Sequence, residues 1–331
     1  MTSVPSIAAA RVARKQRRWL KRDYAVAFLM VLPSLIAIAV FVYGFIGYTA
    51  YVSMSNYTTA RVDLSFAGLE HYITLLSQRR FQDNIRNLVV FTALFLSACL
   101  VFGLLLALLV DSRVKGESFF RSVYLFPMAL SFIVTGVAWR WLFTPGDLEP
   151  TGLNLLFDQL SLPFLEGRWI ADTTIWPNVE VSWLKTRLLV PLAIVPVVVA
   201  AVWQMSGFCM AMYLAALRGI PEELREAARV DGASEFQVFR YIVLPLLRPI
   251  TLSAIIVLTH ISLKTFDLVM TMTGGGPGNR TELPSLYMYE LRFSQFNTAQ
   301  AAAVATILLL VVSVLVVPYL RYNRRAQEVG E

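Results

Sequence analysis

The chain has 331 residues, of which 57% are hydrophobic and 15% charged, with a net charge of +7. Soluble domains carry about a quarter charged residues, so this composition excludes an ordinary soluble enzyme and points to a protein crossing a membrane several times. Two cysteines, Cys99 and Cys209, and two histidines, His71 and His260, give no material for a disulfide scaffold or a histidine-rich metal centre.

Residues 1–24 contain a dense basic run from Arg11 to Arg22. No small-residue cleavage pattern follows a short apolar core, so the run reads as a cytoplasmic anchor and not a removable signal peptide. It carries no expectation of a nucleic-acid partner. Six apolar runs follow, at 25–51, 88–110, 119–143, 188–213, 250–272 and 299–320. Each has about 20 residues or more, enough to cross ~30 Å of hydrocarbon. The pattern predicts an all-α membrane protein with six transmembrane helices over 25–320. Arg113, Lys115 and Arg121 flank the second loop, and Arg321, Arg324 and Arg325 begin the tail 321–331. Basic residues mark cytoplasmic loops, so both termini are expected inside and loop 145–187 outside. That loop carries Trp169, Trp176 and Trp183. It is either a contact surface for an external partner or a segment lying at the membrane interface.

On the fourth run, Trp203, Ser206, Gly207 and Met210 form a stripe, with Gln204 beside it. Gly and Ser allow close helix approach, and Trp203 is a candidate ring-stacking platform. On the fifth, His260, Lys264, Asp267 and Thr271 recur at steps of four, three and four, on one face of a continuous helix. Polar side chains in a lipid-embedded helix usually face the bundle interior. This stripe therefore lines a pathway, meets another subunit, or holds a self-neutralising pair of Lys264 and Asp267. Cys99 and Cys209 fall within spans, where cysteine packs as a small apolar residue.

Loop 218–248, between spans four and five, is polar and reads as two short helices. Pro221 suits a first helical position, and Glu222 and Glu223 complement the first-turn dipole. Gly232 supplies a left-handed stop, and Ser234 with Gln237 forms a capping box. Phe236, Phe239 and Val243 define an apolar face, and Pro245 and Pro249 end the second helix.

Segment 226–245 also resembles the EAA signature of membrane subunits from bacterial ABC importers. Its fixed positions are filled by Glu226, Ala227, Ala228, Gly232, Ile242, Leu244 and Pro245, with Asp231 and Ala233 flanking the glycine. In that family the element is a coupling helix seated in a separate ATPase. This agrees with the absence of any Gly-x4-Gly-Lys-Ser/Thr loop. The glycine-rich run 273–279 lacks lysine and is a poor nucleotide site.

The likeness extends along most of the chain. Phe66-Ala-Gly-Leu-Glu-His-Tyr72, Asn84-Ile-Arg-Asn87, Phe120-Arg121, Pro127, Trp139-Arg-Trp-Leu-Phe143 and Thr273-Gly-Gly-Gly-Pro-Gly278 resemble the maltose-type carbohydrate permeases. Trp203-Gln-Met-Ser-Gly-Phe208 and His260-Ile-Ser-Leu-Lys-Thr-Phe-Asp267 look most like glucose/mannose-type permeases. His71 stands where asparagine is usual, and the outer stretch 158–187 is longer than the family pattern.

The resemblance implies a type I importer fold in a bacterial or archaeal inner membrane. It also implies a second permease subunit, two ATP-binding subunits, an external sugar-binding protein and surrounding lipid. It implies no cofactor and no catalytic or metal residue in this chain, because the partner binds the ATP. ATPase coupling would fall to Glu226, Ala227, Ala228, Asp231, Gly232, Ala233, Ile242, Leu244 and Pro245. Candidates for the sugar pathway are Trp203, Gln204, Ser206, Met210, His260, Lys264 and Asp267. The competing classes are an ion- or proton-coupled secondary transporter using Lys264 and Asp267, for which no internal repeat is evident, and a membrane-embedded enzyme.

Overall fold

The computed structural model describes residues 26–112, 116–146, 150–162, 166–180 and 187–329, excluding the side chains of 177–180, 187–189, 315 and 318–329. The basic run from Arg11 to Arg22, Arg113, Lys115 and Trp183 lie outside the described residues.

The helices in chain order are α1 (Val26–Val52), α2 (Glu70–Ser77), α3 (Arg79–Asp111), α4 (Glu117–Leu125), α5 (Phe132–Phe143) and α6 (Gly152–Gln159). A hairpin of β1 (Ile175–Glu180) and β2 (Arg187–Pro191) follows. Then come α7 (Ile194–Arg218), α8 (Glu222–Val230), α9 (Glu235–Leu246), α10 (Arg248–Leu263), α11 (Asp267–Met272), α12 (Pro284–Phe293) and α13 (Thr298–Val329).

The spine is the pair α3 and α7. Phe91, Phe95, Cys99, Gly103 and Ala107 recur every four residues on α3, so they share one face, and all are buried. They meet Val198, Ala201, Met205 and Cys209 of α7. A Cβ on Gly103 would overlap that of Cys209, so the crossing depends on small residues.

Among the described residues, α1, α3 and α7 are long and apolar enough to cross a membrane, and two bent pairs raise the number to five. The apolar part of α13 that is described, Thr298–Val314, is shorter. None of the apolar window of α1 is buried against the rest of the chain.

Three spans depart from the expected straight helices. The third bends by 98° between Glu117–Ala129 and Phe132–Phe143. Pro127 sits in a 3-10 turn, Leu130 and Ser131 are extended, and the Ser131 hydroxyl caps α5 by accepting from the Val134 N–H at 3.3 Å. The bend frees the Leu130 carbonyl, and the Gln204 amide donates to it at 2.7 Å. The fourth span starts at Ile194, because Arg187–Pro191 pairs as a strand. A short apolar run before a proline fits strand or helix equally well by pattern. The fifth span breaks after Leu263 and resumes at Asp267. Among the described residues the hairpin is the one sheet, beside an isolated bridge of Ser55 and Phe66, and its register shifts between Trp176 and Val179, around Pro177.

Loop 145–187 is tied to the spine by aromatic rings. Trp203 of α7 meets Trp139 edge-on at 5.7 Å, and Trp139 stacks on Phe143 at 5.4 Å. Phe143 contacts Trp169 at 5.3 Å, and Trp169 contacts Phe157 of α6 at 6.3 Å. Asn154 accepts from the Trp169 indole at 2.7 Å. Trp169 is thus a packing residue of this loop, whereas Trp176 stands exposed on the hairpin.

Candidate functional site

Loop 218–248 folds as its local chemistry dictates. Pro221 lies at the cap position, one residue before α8, and Glu222 and Glu223 occupy its first turn. At the other end, the Gly232 N–H donates to the Arg229 carbonyl at 3.0 Å and the Ala233 N–H to the Ala228 carbonyl at 2.9 Å. With Gly232 at φ +86°, this pair of bonds is a Schellman stop. α9 then opens on a complete capping box: Gln237 N–H to the Ser234 hydroxyl at 3.4 Å, and Ser234 N–H to the Gln237 side-chain oxygen at 2.7 Å. Across the turn, Arg229 donates to Glu235 at 2.8 Å and Glu222 at 3.2 Å. These pairs stand in solvent, where water and salt screen them, so they add little to the caps.

The inward face of α9 keeps Phe239 and Val243 of the expected face but not Phe236. Val238, Val243 and Leu247 are buried against Val110 of α3 and Met210, Tyr213, Leu214 and Leu217 of α7, while Phe236 is exposed. The reason is a π-helical turn over Phe239–Val243, which shifts the face partway along. It lies where the ring of Pro245 would crowd the carbonyl four residues back. Pro245 therefore does not end the helix; α9 runs to Leu246 and meets α10 at 59°.

One residue outside the motif anchors the loop. Arg225, mostly buried, donates to the Leu217 carbonyl at 3.2 Å and faces Asp111 at 3.6 Å. Glu226, Ala227, Asp231 and Gly232 remain exposed, Ala228 and Ala233 are half-buried against α3 and α7, and Ile242, Leu244 and Pro245 are half-buried. A polar groove of about 910 Å³ runs beside Glu117, Arg218, Glu222 and Glu226. With Leu224, Val230, Phe236 and Tyr241 also exposed, the loop presents a mixed charged and apolar surface.

The pathway candidates do not converge. Met210 is fully buried in the core, and Gln204 is buried on the Leu130 carbonyl. Trp203 belongs to the aromatic ladder, and Ser206 is half-buried. The proposed stripe of the fifth span is interrupted by the helix break. Lys264 caps α10 and Asp267 opens α11; no ion pair joins them. His260, Lys264 and Asp267 are exposed on the isolated chain.

Of the seven, only Lys264 reaches a cavity of about 740 Å³, lined also by Tyr57, Phe266, Tyr289, Arg292 and Phe293. Phe266, Tyr289 and Phe293 form a continuous aromatic wall, with ring centroids 5.2 and 4.8 Å apart. Tyr289 and Phe293 stand four residues apart on α12. That aromatic spacing is visible in the sequence, between the fifth and sixth apolar runs.

A helical spine, broken spans and a polar two-helix loop make up a fold of the ABC-importer permease kind. Residues 99–323 match the family described as binding-protein-dependent transport system inner membrane component, and the chain belongs to that family. A probable ABC transporter permease of Pyrococcus horikoshii is 39% identical over 92% of this chain and 98% of its own length. The xylose/arabinose import permease of Haloferax volcanii is 34% identical, covering 87% and 84%. The trehalose/maltose transport system permease of Thermococcus litoralis is 30% identical, covering 92% and 95%. Among solved structures, a bacterial ABC transporter for the acidic polysaccharide alginate contains a chain of the same fold. Its TM-score is 0.73 at 20% identity, covering 94% of this chain and 99% of that one.

Proposed function

We propose that this chain is a permease subunit of a binding-protein-dependent ABC importer carrying a small sugar into the cytoplasm. A separate ATPase would dock on segment 226–245. The observation that carries the reading is the capped two-helix loop turned at Gly232, which keeps Glu226, Ala227 and Asp231 exposed while Arg225 ties it to α3 and α7. ATP binding would draw two such loops together and open the cavity outward, and hydrolysis would reset it. The chain itself supplies no nucleotide loop. The named relatives that import xylose/arabinose and trehalose/maltose favour a sugar as cargo, and residues 203–208 and 260–267 favour a hexose of the glucose/mannose class.

The wall of Phe266, Tyr289 and Phe293 offers ring faces for a sugar, and Lys264 and Arg292 offer donors. The exposed polar groups His260 and Asp267 would face that pathway or a second, related permease, because lipid contact would be costly. The assembly would comprise two permeases, two ATPases and an external binding protein, with six spans and both termini cytoplasmic in the inner membrane.

The test is reconstitution with the ATPase and binding protein, following ATP-driven uptake of labelled glucose and mannose. Gly232→Val forces a β-branched residue into a left-handed conformation costing ~1–2 kcal/mol. Uptake and stimulated ATPase activity should fall about tenfold or more, with membrane insertion unchanged. Uptake that persists without the ATPase and collapses with a proton uncoupler would instead establish a secondary transporter.

A further inference from the structure

The back of α12 carries a polar cluster that the coupling loop and pathway do not use. Arg80, in the first turn of α3, donates from Nε and Nη2 to both carboxylate oxygens of Glu282, at 2.9 and 2.5 Å. It also donates to Glu290. The ring of Tyr287 lies under its guanidinium, 4.9 Å from the centroid, and the Tyr287 hydroxyl donates to Gln78 at 2.9 Å. Glu282 precedes α12 and Glu290 lies two turns along it, so one side chain grips the helix at two levels. The Asn87 amide adds bonds to the carbonyls of Asn279 and Glu282, at 3.1 and 2.9 Å.

The opposite side of α12 is the cavity wall. Ser285 donates to the Thr265 carbonyl at 2.7 Å, inside the break of the fifth span, and Tyr289 meets Phe266. α12 is therefore held between Arg80 behind and the helix break in front.

We propose that Arg80, with Glu282 and Glu290, is a latch that fixes α12 as the cavity wall, making Arg80 a positioning residue for transport. This rests on the importer reading for its functional meaning, but its geometry is independent of it. The fully buried Glu282 carboxyl is pushed above the ordinary glutamate range by burial, with Arg80 pulling it back. Ionising such a group is costly, so a pair like this contributes more to geometry than to net stability. Arginine is required because a lysine ammonium cannot hold both oxygens of Glu282 in a planar fork while reaching Glu290.

Cysteine accessibility tests the latch in the transporter complex held in lipid nanodiscs. Both native cysteines are fully buried, so a Tyr289→Cys probe on the cavity wall and a Phe66→Cys control on an outer loop report alone. With a bulky polar maleimide, Arg80→Gln should raise labelling at position 289 about tenfold, equivalent to ~1.4 kcal/mol. Arg80→Lys should fall between the two, and position 66 should not change. Glu290→Gln, at a partly exposed carboxylate, leaves the buried pair intact and tests the latch if Arg80→Gln is not recovered. Labelling at 289 that stays within about twofold of the parent in these variants would overturn the proposal. If labelling rises but the parent shows no ATP-driven uptake, the importer reading fails and the latch stands.

Discussion

Single atoms separate two glycines that look alike in the sequence. A Cβ on Gly232 would meet nothing within 4 Å, so substitution there is opposed by backbone conformation at φ +86°. A Cβ on Gly207 would overlap the carbonyl oxygen of Tyr124, in the short helix before the 98° bend. Backbone cannot swing away as a side chain can. Gly207→Ala should therefore destabilise the fold by about 1–3 kcal/mol, seen as a lower melting temperature in detergent. Gly232→Ala meets no atom and bears only the ~1–2 kcal/mol of a left-handed residue, so it should lower melting less than Gly207→Ala and reduce uptake. Close packing at Gly207 was legible from small residues on one face, although its partner, a carbonyl of a bent span, was not.

At the scale of elements, loop 218–248 was the most legible part of the chain. The Schellman stop at Gly232 and the capping box at Ser234 are closed by residues within five positions, so local chemistry determines them. The bend at Leu130 and the break at Lys264 were missed because their partners are remote. Gln204 lies 74 residues beyond Leu130, and Ser285 lies 20 beyond Thr265. On the inward face of α9 Phe236 is replaced by Val238 for a third reason, a π-turn that a period of 3.6 does not anticipate. Arg225 lies one residue before the motif, and its partner Asp111 is remote in sequence, so no local pattern marks it. Its ion pair with Asp111 predicts a charge-swap outcome. Arg225→Asp and Asp111→Arg should each lower ATP-driven uptake, and the double exchange should recover part of it. Partial recovery is expected because the double exchange restores the ion pair but not the bond from Arg225 to the Leu217 carbonyl. Uptake assays on the four proteins, as a double-mutant cycle, check this.

In the whole molecule, α3 links the two ends. Arg80 lies in its first turn and Asp111 at its last residue. At 1.5 Å per residue they are ~46 Å apart. The latch on the cavity wall and the anchor of loop 218–248 thus sit on one rigid rod. α1, with no apolar window buried, contributes little to that body and leaves its surface for lipid or another chain.

The hydrogen bond from Gln204 to the Leu130 carbonyl also orders events in time. The bend belongs to the third span, yet the group that satisfies it arrives with the fourth. An unpaired carbonyl in hydrocarbon costs several kcal/mol. At ~5–20 residues per second, synthesis leaves it without this partner for roughly 4–15 seconds. Gln204→Leu makes that interval permanent. It should lower both the melting temperature and the amount of protein recovered from membranes, although leucine is similar in volume. The native angle of the third span is therefore a late event in biogenesis, reached when a downstream helix enters the bilayer.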